Sequence, residues 1–229
     1  MTITYVYHSG FIVRDGQTVL VIDCCGLPNE RAELHDCANL YVLASHVHSD
    51  HFDRNIMTFN HAQATWILSD DIRPKVSVHD RVHFLSKGEL YRDERITVKA
   101  YGSTDQGISF YIETGGKKIF HAGDFNNWHW NEEETPQDAA KNEKFFLDEL
   151  EQIAREVPAL DAAMFPVDPR LGRDYTRGAE QFLDRIKTGL FVPMHFGDEI
   201  KAARAFKAAA EQKGCRFADI SAAGDVFTV

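Results

Sequence analysis

The sequence predicts a fold of two β-sheets packed against each other with helices over their outer faces, and three patterns point to it. Short β-rich runs broken by turn residues open the chain. A Gly115-Gly116 pair between two apolar runs marks a hairpin in a second block of strands. Segments with apolar residues at helical spacing come late in each half, where they can cover a sheet.

Taken in order, Ile3 to His8, Phe11 to Arg14 and Thr18 to Asp23 read as strands, the last two joined through an Asp15-Gly16 turn. This is a meander, so an antiparallel sheet begins the fold. The apolar run Leu40 to Ala44 ends abruptly in a His-rich loop, after which Asp53 can cap a short helix from Arg54 onward. Further strands are expected near Ala64 to Leu68, Ile96 to Tyr101, Ile108 to Thr114 and Lys118 to His121. Phe146, Leu147, Leu150 and Ile153 give Pro136 to Val157 a helical stripe, and Ala179 to Ile186 and Glu199 to Gln212 repeat the pattern. Between these helices lie the strands Ala162 to Val167 and Leu190 to Met194. No linker, repeat or low-complexity tract divides residues 1–229, so a single domain is expected.

Composition narrows the function classes. A formal charge of −10 opposes the phosphate backbone, so no nucleic-acid partner is expected. No apolar run approaches the ~20 residues that cross a bilayer, and Met1 to Phe11 lacks the features of a signal peptide. The expectation is a cytoplasmic protein without a membrane partner. Cys24, Cys25, Cys37 and Cys215 form neither a CxxC pair nor a disulfide framework and read as reduced packing residues.

The chemistry concentrates in Ser45-His46-Val47-His48-Ser49-Asp50-His51. In an extended loop, residues two apart project to the same side. His46 and His48 can therefore grip one cation while Asp50 and His51 turn towards a neighbouring one. The plainer alternative is a polar loop in which Asp50 caps backbone donors and the histidines are incidental. Asp124, after Gly123, and His195, at the end of an apolar run, are each unremarkable alone: a turn residue and a core-edge histidine. His8, near a strand end, can reach the metal edge, but a satisfied core histidine is the first reading.

The His46-Val47-His48-Ser49-Asp50-His51 segment resembles, position by position, the HxHxDH motif of the metallo-β-lactamase superfamily. Tyr7-His8-Ser9-Gly10-Phe11 and Val21-Ile22-Asp23 look like its opening strands, His121-Ala122-Gly123-Asp124 like its Gly-Asp element, and Val192-Pro193-Met194-His195-Phe196 like the strand end that delivers its last histidine. The resemblance spans nearly the whole chain. It implies a four-layer αββα sandwich of two mixed β-sheets, with one or two metal ions at one edge. By the same resemblance His46 and His48 hold the first metal, Asp50, His51 and His195 hold the second, and Asp124 bridges them.

The chain departs from this pattern at one ligand. The family's third histidine of the first site falls where this sequence reads Tyr101-Gly102-Ser103-Thr104-Asp105-Gln106-Gly107. A carboxylate can replace an imidazole on a metal, which makes Asp105 the candidate substitute; as an ordinary loop residue it would leave the first site weaker or empty. His121 and His129 are further candidates, as a displaced ligand or as partners that orient Asp124. Trp128 and His129, just after Asp124, and Arg170, after another strand, are candidate contacts for a small polar substrate; the alternatives are a hydrophobic plug against the following helix and an ordinary exposed arginine.

The chemistry implied is metal-assisted hydrolysis, in which a cation lowers the pKa of water from about 15.7 towards ~7 and Asp50 orients the nucleophile. Ester, lactone and phosphoester bonds are all open to it, and the ends of the chain look most similar to sugar-phosphate lactonase-like members. Zinc suits the mixed His and carboxylate donors, as do iron and manganese. Two alternatives stand beside this reading: a phosphodiesterase acting on nucleic acid or nucleotides, and a non-catalytic metal-binding protein with an incomplete first site.

Overall fold

A computed structural model describes residues 1–27 and 32–229. The meander expected at the start is present: β1 (Thr2–Tyr7), β2 (Gly10–Asp15) and β3 (Thr18–Ile22) pair antiparallel. The sheet then changes sense, because β4 (Asn39–Ala44), β5 (Ala64–Ser69) and β6 (Val82–Leu85) follow β3 as parallel neighbours. The second sheet repeats the scheme. Its strands β7 (Leu90–Arg92), β8 (Ile96–Gly102), β9 (Ile108–Thr114) and β10 (Lys117–His121) are antiparallel, whereas β11 (Ala159–Pro166), β12 (Lys187–Met194) and β13 (Arg216–Phe217) run parallel to β10. A last strand, β14 (Val226–Thr228), returns to the first sheet beside β1. Among the described residues this gives two mixed seven-stranded sheets, ordered β14-β1-β2-β3-β4-β5-β6 and β13-β12-β11-β10-β9-β8-β7.

The period-two alternation of β1 explains how the sheets meet. Ile3 and Tyr5 point inward, and with Phe11, Val13 and Leu20 they share one core with Val98, Phe110, Ile112 and Ile119 of the other sheet. Helices cover the outer faces unequally. Over the second sheet lie α2 (Pro136–Glu156) and α3 (Arg177–Arg185), preceded in the chain by the short α1 (Ala32–His35). Helix α2 begins where Pro136 follows the cap Thr135, whose hydroxyl accepts from the Asp138 amide at 3.2 Å. Its apolar stripe Phe146, Leu150 and Ile153 is buried, and Phe146 meets Phe125 with ring centres 4.8 Å apart. The first sheet is covered by α1 and two 3₁₀ turns, Arg54–Thr58 and Asp70–Lys75, whose Leu34, Ile56, Phe59 and Ile72 pack on Val19, Val21 and Val42.

One expected helix is divided. The Glu199–Gln212 stripe folds as α4 (Ile200–Ala205) and α5 (Lys207–Gln212). At the break the Phe206 amide bonds the Ala203 carbonyl at 3.2 Å, a tightened turn that drops the Phe206 ring onto Phe191 with 5.2 Å between centres. The Phe206 side chain is fully enclosed, so burying an aromatic has outweighed helix continuity. Among the described residues no helix is long and apolar enough to cross a membrane.

Candidate metal centre

The parallel strands determine where the chemistry gathers. Strands β3 and β4 of one sheet, and β10, β11 and β12 of the other, each end within three residues of a polar group: Asp23, His46, Asp124, Asp168 and His195. Their carboxyl ends lie at one edge, where the loops leave the sheets and main-chain geometry is free to vary. Two glycines let those loops close up. A side chain on Gly107 would come within 2.4 Å of His46 Cβ, and one on Gly123 within 2.9 Å of Ser45 Cβ; both have positive φ (73° and 54°). The Ile108 amide, next to Gly107, completes the seam by donating to the Ser45 carbonyl at 3.0 Å.

Around Asp124 the imidazoles converge. His51 Nε2 lies 3.0 Å and His195 Nε2 3.2 Å from Asp124 Oδ1, and His46 Nε2 lies 3.4 Å from Asp124 Oδ2. His46 Nε2 also faces His48 Nδ1 at 3.0 Å. Donor atoms lie within 4.8 Å of one another in each of the sets His46-His48-Asp50, His46-His51-Asp124, His48-Asp105-Asp124 and His8-Asp50-His51-His195. The buried atoms His8 Nε2, His51 Nε2, His195 Nε2 and Asp124 Oδ1 nonetheless have no aligned hydrogen-bond partner. Leaving such groups unsatisfied costs about 1–3 kcal/mol each. Converging His and carboxylate donors with no partner of their own fit the binding of a divalent transition metal.

The opposite ring nitrogens are fixed by carboxylates. His51 Nδ1 is 2.7 Å from Asp23 Oδ2, and His195 Nδ1 is 2.9 Å from Asp168 Oδ2. Asp23 is enclosed and accepts from the Ser45 amide at 2.8 Å and hydroxyl at 2.5 Å; that hydroxyl in turn lies 3.1 Å from His46 Nδ1. Asp168 is held by Arg170, whose Nη2 donates to it at 2.5 Å. This is how metal-binding histidines are usually oriented, with the second nitrogen donated to a carboxylate.

The charges follow from these contacts. Burial lowers His46 to about 4, which keeps its imidazole neutral and able to donate a lone pair. Burial also opposes charge on His51, but Asp124 and Asp23 overcome it and raise its pKa to about 10. Burial would raise Asp168, yet His195 and Arg170 hold its carboxyl down at about 2. His8, beside Asp50, keeps that carboxyl below the usual carboxylate range.

A cleft of about 400 Å³ opens over this edge, lined by His48, Asp50, Asp105, Asp124, Trp128, Trp130, Arg170 and His195 among others. The structure thus gathers His46, His48, Asp50, His51, Asp124 and His195, and places Asp105 beside His48 and Asp124. Trp128 and Arg170 stand in the cleft wall. His129 does not: it is enclosed, its Nε2 3.2 Å from the Asp174 carbonyl and its Nδ1 accepting from the Asn131 amide, so its expected substrate contact is corrected to a main-chain support. Trp130, two residues on and with its ring plane 15° from that of Trp128, takes the place in the wall. His121 is likewise no ligand. Its Nε2 bonds the Ser9 carbonyl at 2.8 Å and its Nδ1 accepts from the Gly123 amide, fixing the turn that carries Asp124.

From the sequence, His8 reads first as a satisfied core residue, with reach to the metal edge as the alternative, and Asp23 and Asp168 have no role at the site. One signal could have flagged the two carboxylates: each stands just past a parallel strand, at the edge that also carries the ligands. For His8 the only signal is its place near a strand end, because its neighbours Asp50, His51 and His195 come from two distant segments.

No family model matches the chain. Over its whole length it is 26% identical to a UPF0173 metal-dependent hydrolase of Symbiobacterium thermophilum, also covered in full. Among solved structures it is similar to Igni18, a metallo hydrolase of Ignicoccus hospitalis, with TM-score 0.68, 17% identity and coverage of 100% of this chain and 98% of the other. The metallo-β-lactamase fold protein YhfI of Bacillus subtilis gives TM-score 0.63 at 12% identity, covering 99% and 98%. The paired mixed sheets, the HxHxDH loop at their shared edge and these full-length similarities agree: the chain has the metallo-β-lactamase fold and is similar to UPF0173 metal-dependent hydrolases.

Proposed function

We propose that the protein is a metal-dependent hydrolase acting on a small polar substrate with an ester, lactone or phosphoester bond. The observation that carries this reading is the set of buried, unpaired donors around Asp124 at the floor of an open cleft. His46, His48, Asp105 and Asp124 would hold one ion, and Asp50, His51, His195 and Asp124 a second, zinc being the metal these donors suit best. When bound, such ions supply Lewis-acid polarisation and a water of lowered pKa.

The chain's own groups supply the rest. Asp50 has donor atoms in two of the converging sets and a half-exposed side chain, so its carboxylate can orient a water at the cleft floor and accept its proton. Trp128 and Trp130 form an apolar wall against which an organic group can lie. Arg170, anchored to Asp168, is the cation of the cleft lining and can meet an anionic group. The remaining lining includes Asp50, Asp105, Asp124 and Glu134, which with the overall charge of −10 disfavours a nucleic-acid substrate.

The Asp105 assignment has its own test. Asp105→Asn should lower the metal content or affinity of the first position, and Asp105→His should retain it, when each purified variant is titrated with zinc after chelator treatment. Equal affinity in Asp105→Asn and the parent would remove Asp105 from the ligand set.

A further inference from the structure

Among the described non-glycine residues, positive φ angles occur at His8 (53°), Asp23 (48°), Trp130 (42°) and His195 (63°). All four lie at the metal edge. Such backbone costs of order 1–3 kcal/mol per residue and persists where the surroundings over-determine it, often for function. Three of the four have a place in the site as described: an orienting carboxylate, a cleft wall and a ligand. His8 does not.

The turn between β1 and β2 holds His8 from both sides. Its amide donates to the Tyr5 hydroxyl at 3.0 Å, and its carbonyl accepts from the His195 amide at 3.1 Å. The ring is thereby set 4.2 Å from the His195 ring, centre to centre, and 5.9 Å from that of His51. Its Nε2 is buried and makes no hydrogen bond, although Asp50 Oδ2 lies 3.4 Å away. A core histidine would have that nitrogen satisfied.

Accepting that the edge holds metal, we propose that His8 is an additional ligand of the second metal position, completing a set with Asp50, His51 and His195. Two donors on one ion at ~2.0–2.2 Å stand at most about 4.4 Å apart. The four donor atoms already lie within 4.8 Å of one another, so small side-chain movements bring them onto one ion. With Asp124 adjacent, the second position is supplied almost wholly by protein. The first, with His46, His48, Asp105 and Asp124, has one protein donor fewer and no third histidine. The two positions are therefore unequal, the second having the larger donor set.

The test uses the full chain stripped with chelator and titrated with Co²⁺, read by metal stoichiometry and by the visible d–d absorption, with Zn²⁺ affinity measured against a fluorescent chelator. His8→Asn keeps a residue tolerant of left-handed backbone, and His8→Gln keeps side-chain length; circular dichroism selects the variants that remain folded. The proposal expects a folded variant to bind its tightest ion at least 10-fold more weakly and to show an altered d–d spectrum. Affinity and spectrum unchanged from the parent, with only turnover reduced, would make His8 a partner of Asp50 and overturn it. A parent protein that binds no metal would instead overturn the hydrolase reading on which the inference rests.

Discussion

The amide of His195 donates to the carbonyl of His8 at 3.1 Å, joining the end of β12 in one sheet to the β1–β2 turn of the other at the metal edge. Both residues have left-handed backbones, so each ring is aimed by its main-chain conformation. The edge sits above the apolar core that the two sheets share.

Metal removal should accordingly weaken the protein without unfolding it. Chelator-treated protein is expected to keep its far-ultraviolet circular dichroism and a cooperative melt, with Tm lowered by several degrees. An ion at 100 times its Kd adds about 2.7 kcal/mol by mass action. Loss of secondary structure on chelation would show that the ion, rather than the paired sheets, holds the fold.

Asp23 supports the site from beneath, accepting from Ser45 and holding His51 Nδ1 at 2.7 Å. Asp23→Asn keeps the shape and tolerates the left-handed backbone, but it puts an amide where His51 needs an acceptor. It should weaken metal binding by about 10–100-fold and destabilise the fold by about 1–3 kcal/mol. Chelator competition and denaturant unfolding read the two effects separately; unchanged metal affinity would mean that His51 is oriented by other contacts.

Asp93 links the sheets away from the site. It accepts from Tyr41 at 2.5 Å, Tyr91 at 3.1 Å and the amides of Arg95 and Ile96 at 2.8 and 2.9 Å. Partial burial would raise its pKa, but these donors, Tyr41 foremost, hold the carboxyl below its ordinary value. A depressed folded pKa contributes stability that is present above the unfolded value of about 3.9 and lost as pH falls through the folded one. The parent should therefore exceed Asp93→Asn by on the order of 1 kcal/mol, discounted for solvent access, from pH 7 to about 5. The gap should close at lower pH. Urea unfolding across pH 3–7 checks this, and a gap independent of pH would assign the loss to packing.

Much of this was legible before any coordinates. Ile108–Thr114 has the bounds its residues predicted, and Asp53 caps the short helical turn at Arg54. The short strands β6, β7, β13 and β14 were not foreseen, because two to four residues carry too little alternation to register. At the site, the HxHxDH spacing announced its ligands because they are local in sequence. His8, Asp23 and Asp168 reach the edge only through the topology that aligns the strand ends, and no local pattern encodes that. His129 misled for the converse reason: adjacency to Trp128 implied a shared face, but the positive φ at Trp130 turns the chain and leaves His129 inside.

The most direct test compares the parent with Asp124→Ala for metal content by elemental analysis and for hydrolysis of an ester, lactone and phosphoester panel. The account predicts one to two equivalents of metal and turnover of at least one class in the parent, with both sharply reduced in Asp124→Ala. A metal-loaded parent inactive on every class, or full metal content in Asp124→Ala, would contradict it.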